Sequence, residues 1–192
     1  MEDAVRIIRA DGVVALPFER LFGLAADALS PAAVARSARI KDRPADRSGE
    51  RPIAVIIPNM EAVFEVVSHF GSLAMKLADN YWPGPLTILV PAADHVPAPL
   101  VNSKGQIGVR LPGPCPAFDL ARVCGKVLTA TSANRAGGPD ALTHEDILAL
   151  PQAEIDLIVP GSVLGPPGST VVDATGDEPV VLRRGIVDIE EA

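Results

Sequence analysis

The side chains of this sequence best suited to chemistry are cations and hydroxyls standing where apolar runs end. Lys41-Asp42-Arg43 follows a helical stretch and precedes an apolar one. On an extended segment, two cations two residues apart point the same way, so both can meet one polyphosphate. Arginine brings a planar fork of donors and lysine a compact charge. The surrounding segment is basic as well, with Arg36, Arg39, Arg47 and Arg51 diluted by Asp46 and Glu50. It reads either as solvated surface or as a local anion site. Thr131-Ser132-Ala133-Asn134 ends another apolar run, and its hydroxyls and amide suit either phosphate and ribose or a turn closing on its own backbone. Gly168-Ser169-Thr170 opens a third, where glycine permits close approach and N–H groups and hydroxyls can meet an anion. Arg110 and Arg183 close two further runs and are either site cations or surface arginines. No acid/base pair, catalytic triad or metal-ligand spacing stands out.

The elements that must carry these residues alternate along the chain. Residues 3–10 set Val5, Ile7 and Ile8 beside Arg6 and Arg9, a short amphipathic helix stopped near Gly12, and residues 12–17 form a buried strand closed by proline. Ser30-Pro31 is an N-cap followed by proline at the first helical position, predicting a helix to Ile40. After a polar loop, residues 53–57 read as a strand, Pro58-Asn59 starts a helix through about Phe70, and residues 72–81 form another. Pro83-Gly84-Pro85 breaks it, with Trp82 as an anchor for the turn. Residues 86–90, 107–111 and 127–131 are strands, with a helix around 116–123. Thr143 starts a helix with a capping pattern, and residues 155–159, 170–173 and 180–182 end the chain as short strands. The interleaving predicts an α/β chain of α+β type, a twisted mixed β-sheet covered by helices on both faces, with antiparallel pairing among the closely spaced last strands. Residues 161–168 look the most flexible of the loops.

The 192 residues suit one domain spanning 1–192. At 48% hydrophobic and 4% aromatic, the core must be built from Ala, Val, Leu and Ile. No run approaches the roughly 18–20 apolar residues of a membrane span, and the acidic start Met1-Glu2-Asp3 is unlike a secretory signal, so no membrane partner and a cytoplasmic location are expected. Cys115 and Cys124 lack CxxC spacing and read as reduced thiols; His69, His95 and His144 are scattered, so no structural metal is expected. A net charge of −7 disfavours a global grip on nucleic acid.

Taken in order, residues 17–24, Lys41-Asp42-Arg43-Pro44, residues 81–87 with the string Trp-Pro-Gly-Pro-Leu-Thr, Val109-Arg110-Leu111-Pro112, residues 131–134, 169–173 and 182–185 resemble the YrdC-like family of L-threonylcarbamoyladenylate synthases. The resemblance runs from about residue 4 to 186. It implies a twisted mixed sheet with helices on both sides; the extra C-terminal domain of larger members is not expected in a chain of this length. It further implies a nucleotidyltransferase that joins ATP, bicarbonate and L-threonine into threonylcarbamoyl-AMP and pyrophosphate for tRNA modification. Lys41 and Arg43 would be the catalytic cations and, with Ser132 and Asn134, would hold the triphosphate. Arg110, Ser169 and Arg183 would complete the nucleotide pocket, and Mg²⁺ would accompany ATP. The family is also associated with double-stranded RNA, so a diverged paralogue binding nucleotide or RNA, or working with tRNA-modification proteins, is the alternative.

One segment departs from the pattern. Where the family reads Pro-Thr-Glu-Thr-x-Tyr-Gly-Leu, this chain has Pro17-Phe18-Glu19-Arg20-Leu21-Phe22-Gly23-Leu24. The resemblance makes Phe18, Arg20 and Phe22 an acceptor-side pocket that has lost three hydroxyls and gained a guanidinium. Such a pocket favours L-threonine less, and Arg20 is a candidate receptor for another carboxylate or a phosphate.

Overall fold

The computed structural model describes residues 1–41, 52–134 and 138–189. The N-terminal third follows its local signals. Helix α1 (Glu2–Arg9) leads into strand β1 (Val14–Pro17), which turns back as β2 (Phe22–Ala25). Helix α2 (Pro31–Ile40) starts where Ser30 Oγ accepts a hydrogen bond from the Ala33 amide at 3.3 Å, with Pro31 in the first turn, and it delivers Lys41 at its C-cap. Strand β3 (Ala54–Ile56), helix α3 (Ser72–Tyr81), β4 (Leu86–Pro91), β5 (Gln106–Arg110), α4 (Pro116–Cys124) and β6 (Leu128–Ser132) follow. The chain then forms α5 (His144–Leu148), capped by a reciprocal Thr143–Asp146 box, and ends in β7 (Leu157–Ile158), β8 (Thr170–Asp173) and β9 (Val180–Arg183). Among the described residues no helix is long and apolar enough to cross a membrane.

The strands form one nine-stranded mixed sheet in the order β7-β1-β2-β6-β3-β5-β4-β8-β9. Alternation along each strand sends successive side chains to opposite faces. Val14 and Leu16 of β1, Ala25, Ile56 and Leu128 join α1 and α4 in one apolar cluster. Their neighbours in the chain face the other way: Ala15 and Leu24 pack with α2 and α5, and Val55, Ile88 and Val109 pack with α2 and α3. Helices therefore cover both faces, as expected, and the core is aliphatic. Trp82 anchors the turn after α3, its indole N–H donating to the Leu86 carbonyl at 2.7 Å and its ring stacking on Phe70.

Three expectations are corrected and one strand is added. The helix predicted from residue 58 to about 70 is only a 3-10 turn, Glu61–Glu65. Asn59 does cap it, accepting from the Ala62 amide at 3.0 Å, but Val67 is drawn into a β-bridge with Ala92, and the β-branched pair Val66-Val67 suits that extended path better than another helical turn. Strand β2 is not announced by any apolar run, because Phe-Gly-Leu-Ala carries a glycine that weakens strand propensity; it forms by pairing with β1 and β6. Of the last strands, β8 and β9 pair antiparallel, whereas β7 pairs parallel with β1 at the opposite edge. Residues 161–168, read from sequence as the most flexible loop, are instead fastened to the β1–β2 turn: the amides of Leu164 and Gly165 donate to the carbonyls of Glu19 and Arg20.

Candidate nucleotide-binding face

Strand register gathers small residues on one face of the sheet. Opposed residues of neighbouring strands share a face, and Gly23 opposes Ser132 while Ala130 opposes Ala54. A Cβ on Gly108 would stand 3.5 Å from Ala54 Cβ and 3.1 Å from Thr87 Cγ2, so β5 and β4 continue the same face. Across β2, β6, β3, β5 and β4 the floor is thus Gly23, Ser132 and Ala130, Ala54, Gly108 and Thr87. Ala54 and Ala130 are only half-buried although their strands lie mid-sheet, so this floor is reachable from solvent. Glycine inside a strand marks close approach of another group, and two lie here.

Polar groups stand around that floor. Lys41, carried in by the end of α2, is 3% exposed. Its ammonium donates to the Ser132 carbonyl at 2.9 Å, to Ser132 Oγ at 3.4 Å and to Asn134 Oδ1. Ser132 Oγ donates to the same Asn134 oxygen at 2.8 Å, and Asn134 Nδ2 donates to the Gly138 carbonyl at 2.8 Å, which fixes the amide's orientation. A buried ammonium needs such acceptors. An anion entering here meets one buried cation, one hydroxyl and one amide on a common face.

Arg110 stands at the end of β5, where its Nη2 donates to Glu19 Oε2 at 2.6 Å and its guanidinium lies 5.9 Å from the centre of the Phe18 ring. The second Glu19 oxygen accepts from the Gly113 amide at 2.8 Å. Ser169 Oγ lies 3.1 Å from Thr87 Oγ1, and the Arg183 guanidinium donates to Ser169 O at 2.8 and 3.1 Å and to its Oγ at 2.9 Å. The structure thus groups Lys41 with Ser132 and Asn134, Ser169 with Arg183, and Arg110 with Glu19. Arg43 lies outside the described residues, as do Arg47 and Arg51. Arg36 and Arg39, from the same basic segment, turn away to ion pairs with Glu154 and Asp156.

The proposed acceptor-side trio is split. Phe18 and Arg20 line an open cleft of about 490 Å³ together with Pro83, Pro85, Cys115 and Leu164. Phe18 also lies over Gly23, where a side-chain carbon would collide with its ring. Phe22 is a correction: it is 1% exposed and packs with Val13, Leu24, Ile40 and Ile147, because alternation along β2 turns it to the opposite face from Gly23. Arg20, in the cleft wall, is also tied to the backbone: its Nε and Nη2 donate to the carbonyls of Pro167 and Pro166 at 2.7 and 3.1 Å. Burial, opposed by the Phe118 amide, pushes the Cys115 thiol up to about 11, which keeps it protonated in the cleft wall at neutral pH. Among the described residues no group of three His, Cys, Asp or Glu is placed to hold a metal.

Two participants were passed over in the sequence. Glu19 fixes Arg110, and Thr87 meets Ser169; a carboxylate in a short turn between strands and a threonine in a proline-rich string are signals too common to single out.

The family model described as "Telomere recombination", Sua5/YciO/YrdC, matches residues 6–185. A threonylcarbamoyl-AMP synthase of Pyrococcus abyssi is 33% identical over 98% of this chain and 54% of its own length. One of Nitrosococcus oceani is 34% identical over 82% of this chain and 83% of its own length. The solved structure of P. abyssi Sua5 complexed with L-threonine superposes with a TM-score of 0.85 at 32% identity, covering 95% of this chain and 53% of that one. The chain spans about half the length of the P. abyssi relative. A match over residues 6–185, on a sheet whose open face carries Lys41, Ser132 and Asn134 together, places the chain in the Sua5/YciO/YrdC family.

Proposed function

We propose that the chain binds MgATP on the open face of its sheet and, in the cytoplasm, uses it to convert bicarbonate and L-threonine into threonylcarbamoyl-AMP and pyrophosphate for tRNA modification. The observation that carries the reading is the buried Lys41 ammonium held with Ser132 and Asn134 beside a floor of small residues. Support also comes from relatives named threonylcarbamoyl-AMP synthase and from a Sua5 structure that holds L-threonine.

In the proposed reaction a carbamate oxygen of N-carboxythreonine bonds to the α-phosphorus, and the bond from that phosphorus to the bridging oxygen breaks as pyrophosphate leaves. Negative charge grows on the phosphate oxygens, and fixed donors aimed at it lower the barrier. Lys41 and Arg43 are the cations assigned to the triphosphate. On nucleotide entry the Lys41 ammonium exchanges part of its hold on Asn134 for a phosphate oxygen, and Ser132 Oγ supplies a hydroxyl donor. Arg110, Ser169 and Arg183 complete the nucleotide pocket, with Glu19 fixing the orientation of Arg110. Mg²⁺ accompanying ATP as part of the substrate would neutralise part of the phosphate charge.

Calorimetric titration with MgATP tests the binding step. Lys41→Ala is expected to weaken affinity more than tenfold, about the value of one charged hydrogen bond. Equal affinity in a variant that remains folded would sink the assignment. With a net charge of −7, retention of double-stranded RNA near physiological salt in place of MgATP would favour the RNA-binding alternative.

A further inference from the structure

Between β7, at one edge of the sheet, and β8, next to the other edge, the chain must cross from one half of the molecule to the other. Residues 161–168 make that crossing along the β1–β2 turn. Gly161 abuts Pro17, and the amides of Leu164 and Gly165 donate to the carbonyls of Glu19 and Arg20 at 3.3 and 2.8 Å. The Arg20 guanidinium then clasps two successive carbonyls, those of Pro166 and Pro167. The two prolines bring no N–H donors to this run, and a planar fork of donors suits two adjacent carbonyl acceptors. From the far side the C-terminal segment closes on the same run: the Ile186 amide donates to the Gly168 carbonyl at 3.1 Å, and a side chain at Gly185 would collide with the backbone of residues 168–170. Ser169, with Arg183 on its carbonyl and hydroxyl, sits between these two fastenings.

We infer that Arg20 is a positioning residue: by binding the Pro166 and Pro167 carbonyls it fixes this strap so that Ser169 and Arg183 meet the nucleotide in one geometry. The inference rests on the MgATP reading above. It gives the guanidinium at position 20 a role other than receiving an acceptor carboxylate.

The test compares wild type, Arg20→Thr and Arg20→Lys by amide hydrogen exchange, MgATP titration and the rate of pyrophosphate release. Arg20→Thr is expected to speed exchange at Leu164 and Gly165 by about tenfold while leaving the β3–β5 amides unchanged. It is expected to weaken MgATP binding by about tenfold with kcat held within about twofold, the mark of lost binding shared by the ground and transition states. Arg20→Lys, which keeps a donor for one carbonyl, falls between. Unchanged exchange at Leu164 and Gly165 overturns the inference. Faster exchange with unchanged MgATP affinity overturns it as well, since Arg20 would then be a structural tie alone. A wild-type chain that binds no MgATP removes the nucleotide reading and the inference with it, and that failure is distinguished by appearing before any substitution is made.

Discussion

A methyl group at Gly23 would stand inside the Phe18 ring, so this glycine is required by a close approach rather than by its backbone angles. Gly23→Ala is expected to cost about 1–3 kcal/mol in urea unfolding through overpacking. Phe18→Ala should absorb much of that cost, and the double-mutant cycle should show a coupling well above the ~0.5 kcal/mol of independent sites. Strict additivity would mean that the ring does not lie on Gly23. The same contact explains what could be read at residue scale and what could not. Lys41 stood out at the end of a helix, and Ser132 and Asn134 at the end of an apolar run; the structure brings their side chains into one cluster. Phe22 was not legible: position in a motif says nothing of which face a strand residue takes, and alternation puts Phe22 in the core while Phe18 reaches the cleft. Restoring a hydroxyl at position 22 would place it in an apolar interior, so an attempt to improve L-threonine use belongs at Phe18.

Among the elements, α2 matters most to the site because its C-cap is Lys41, and it is tied by charge to the segment that leads into β7 at the sheet's edge. Arg36 donates to Asp156 Oδ1 at 3.0 Å and to the Glu154 carbonyl at 3.2 Å, while Arg39 pairs with Glu154. The Arg39 hydrogen bond holds the Glu154 carboxyl below its ordinary range; burial opposes it, and the charge of Arg39 and the bond and charge of Arg36 add to the lowering. Burial raises Asp156, but bonds from Arg36 and from the Val13 amide outweigh it and leave that carboxyl lowered too. Groups whose pKa is depressed by folding add stability that is complete above the ordinary carboxylate range and is lost as pH falls through the depressed values. Arg36→Ala is therefore expected to cost about 1 kcal/mol at pH 7, the partly exposed pairs being discounted for screening, with the gap to wild type closing as pH falls below about 4. A gap independent of pH down to that range would show that Arg36 acts by packing alone. Element types were mostly legible, since α2 and α4 carry proline in the first turn and α5 carries a capping box. The turn after β3 was not, because a bridge to Ala92 decides it.

At the scale of the whole molecule, the interleaved pattern foretold a mixed sheet with helices on both faces, and that is the architecture found. The strand order was beyond the sequence. It is set by long-range pairings such as β2 with β6 and β3 with β5, and these same pairings align Gly23, Ala130, Ala54 and Gly108 into one floor. No single strand reveals that floor. The Phe18–Leu21 turn and the strap of residues 161–168 then join the two halves of the sheet beside it. Pyrophosphate release from ATP and bicarbonate, measured with and without L-threonine, tests the proposed reaction most directly. Release that depends on L-threonine and is lost in Lys41→Ala is the predicted result. MgATP binding without threonine-dependent release would contradict the proposed reaction and turn the search to other carboxylates.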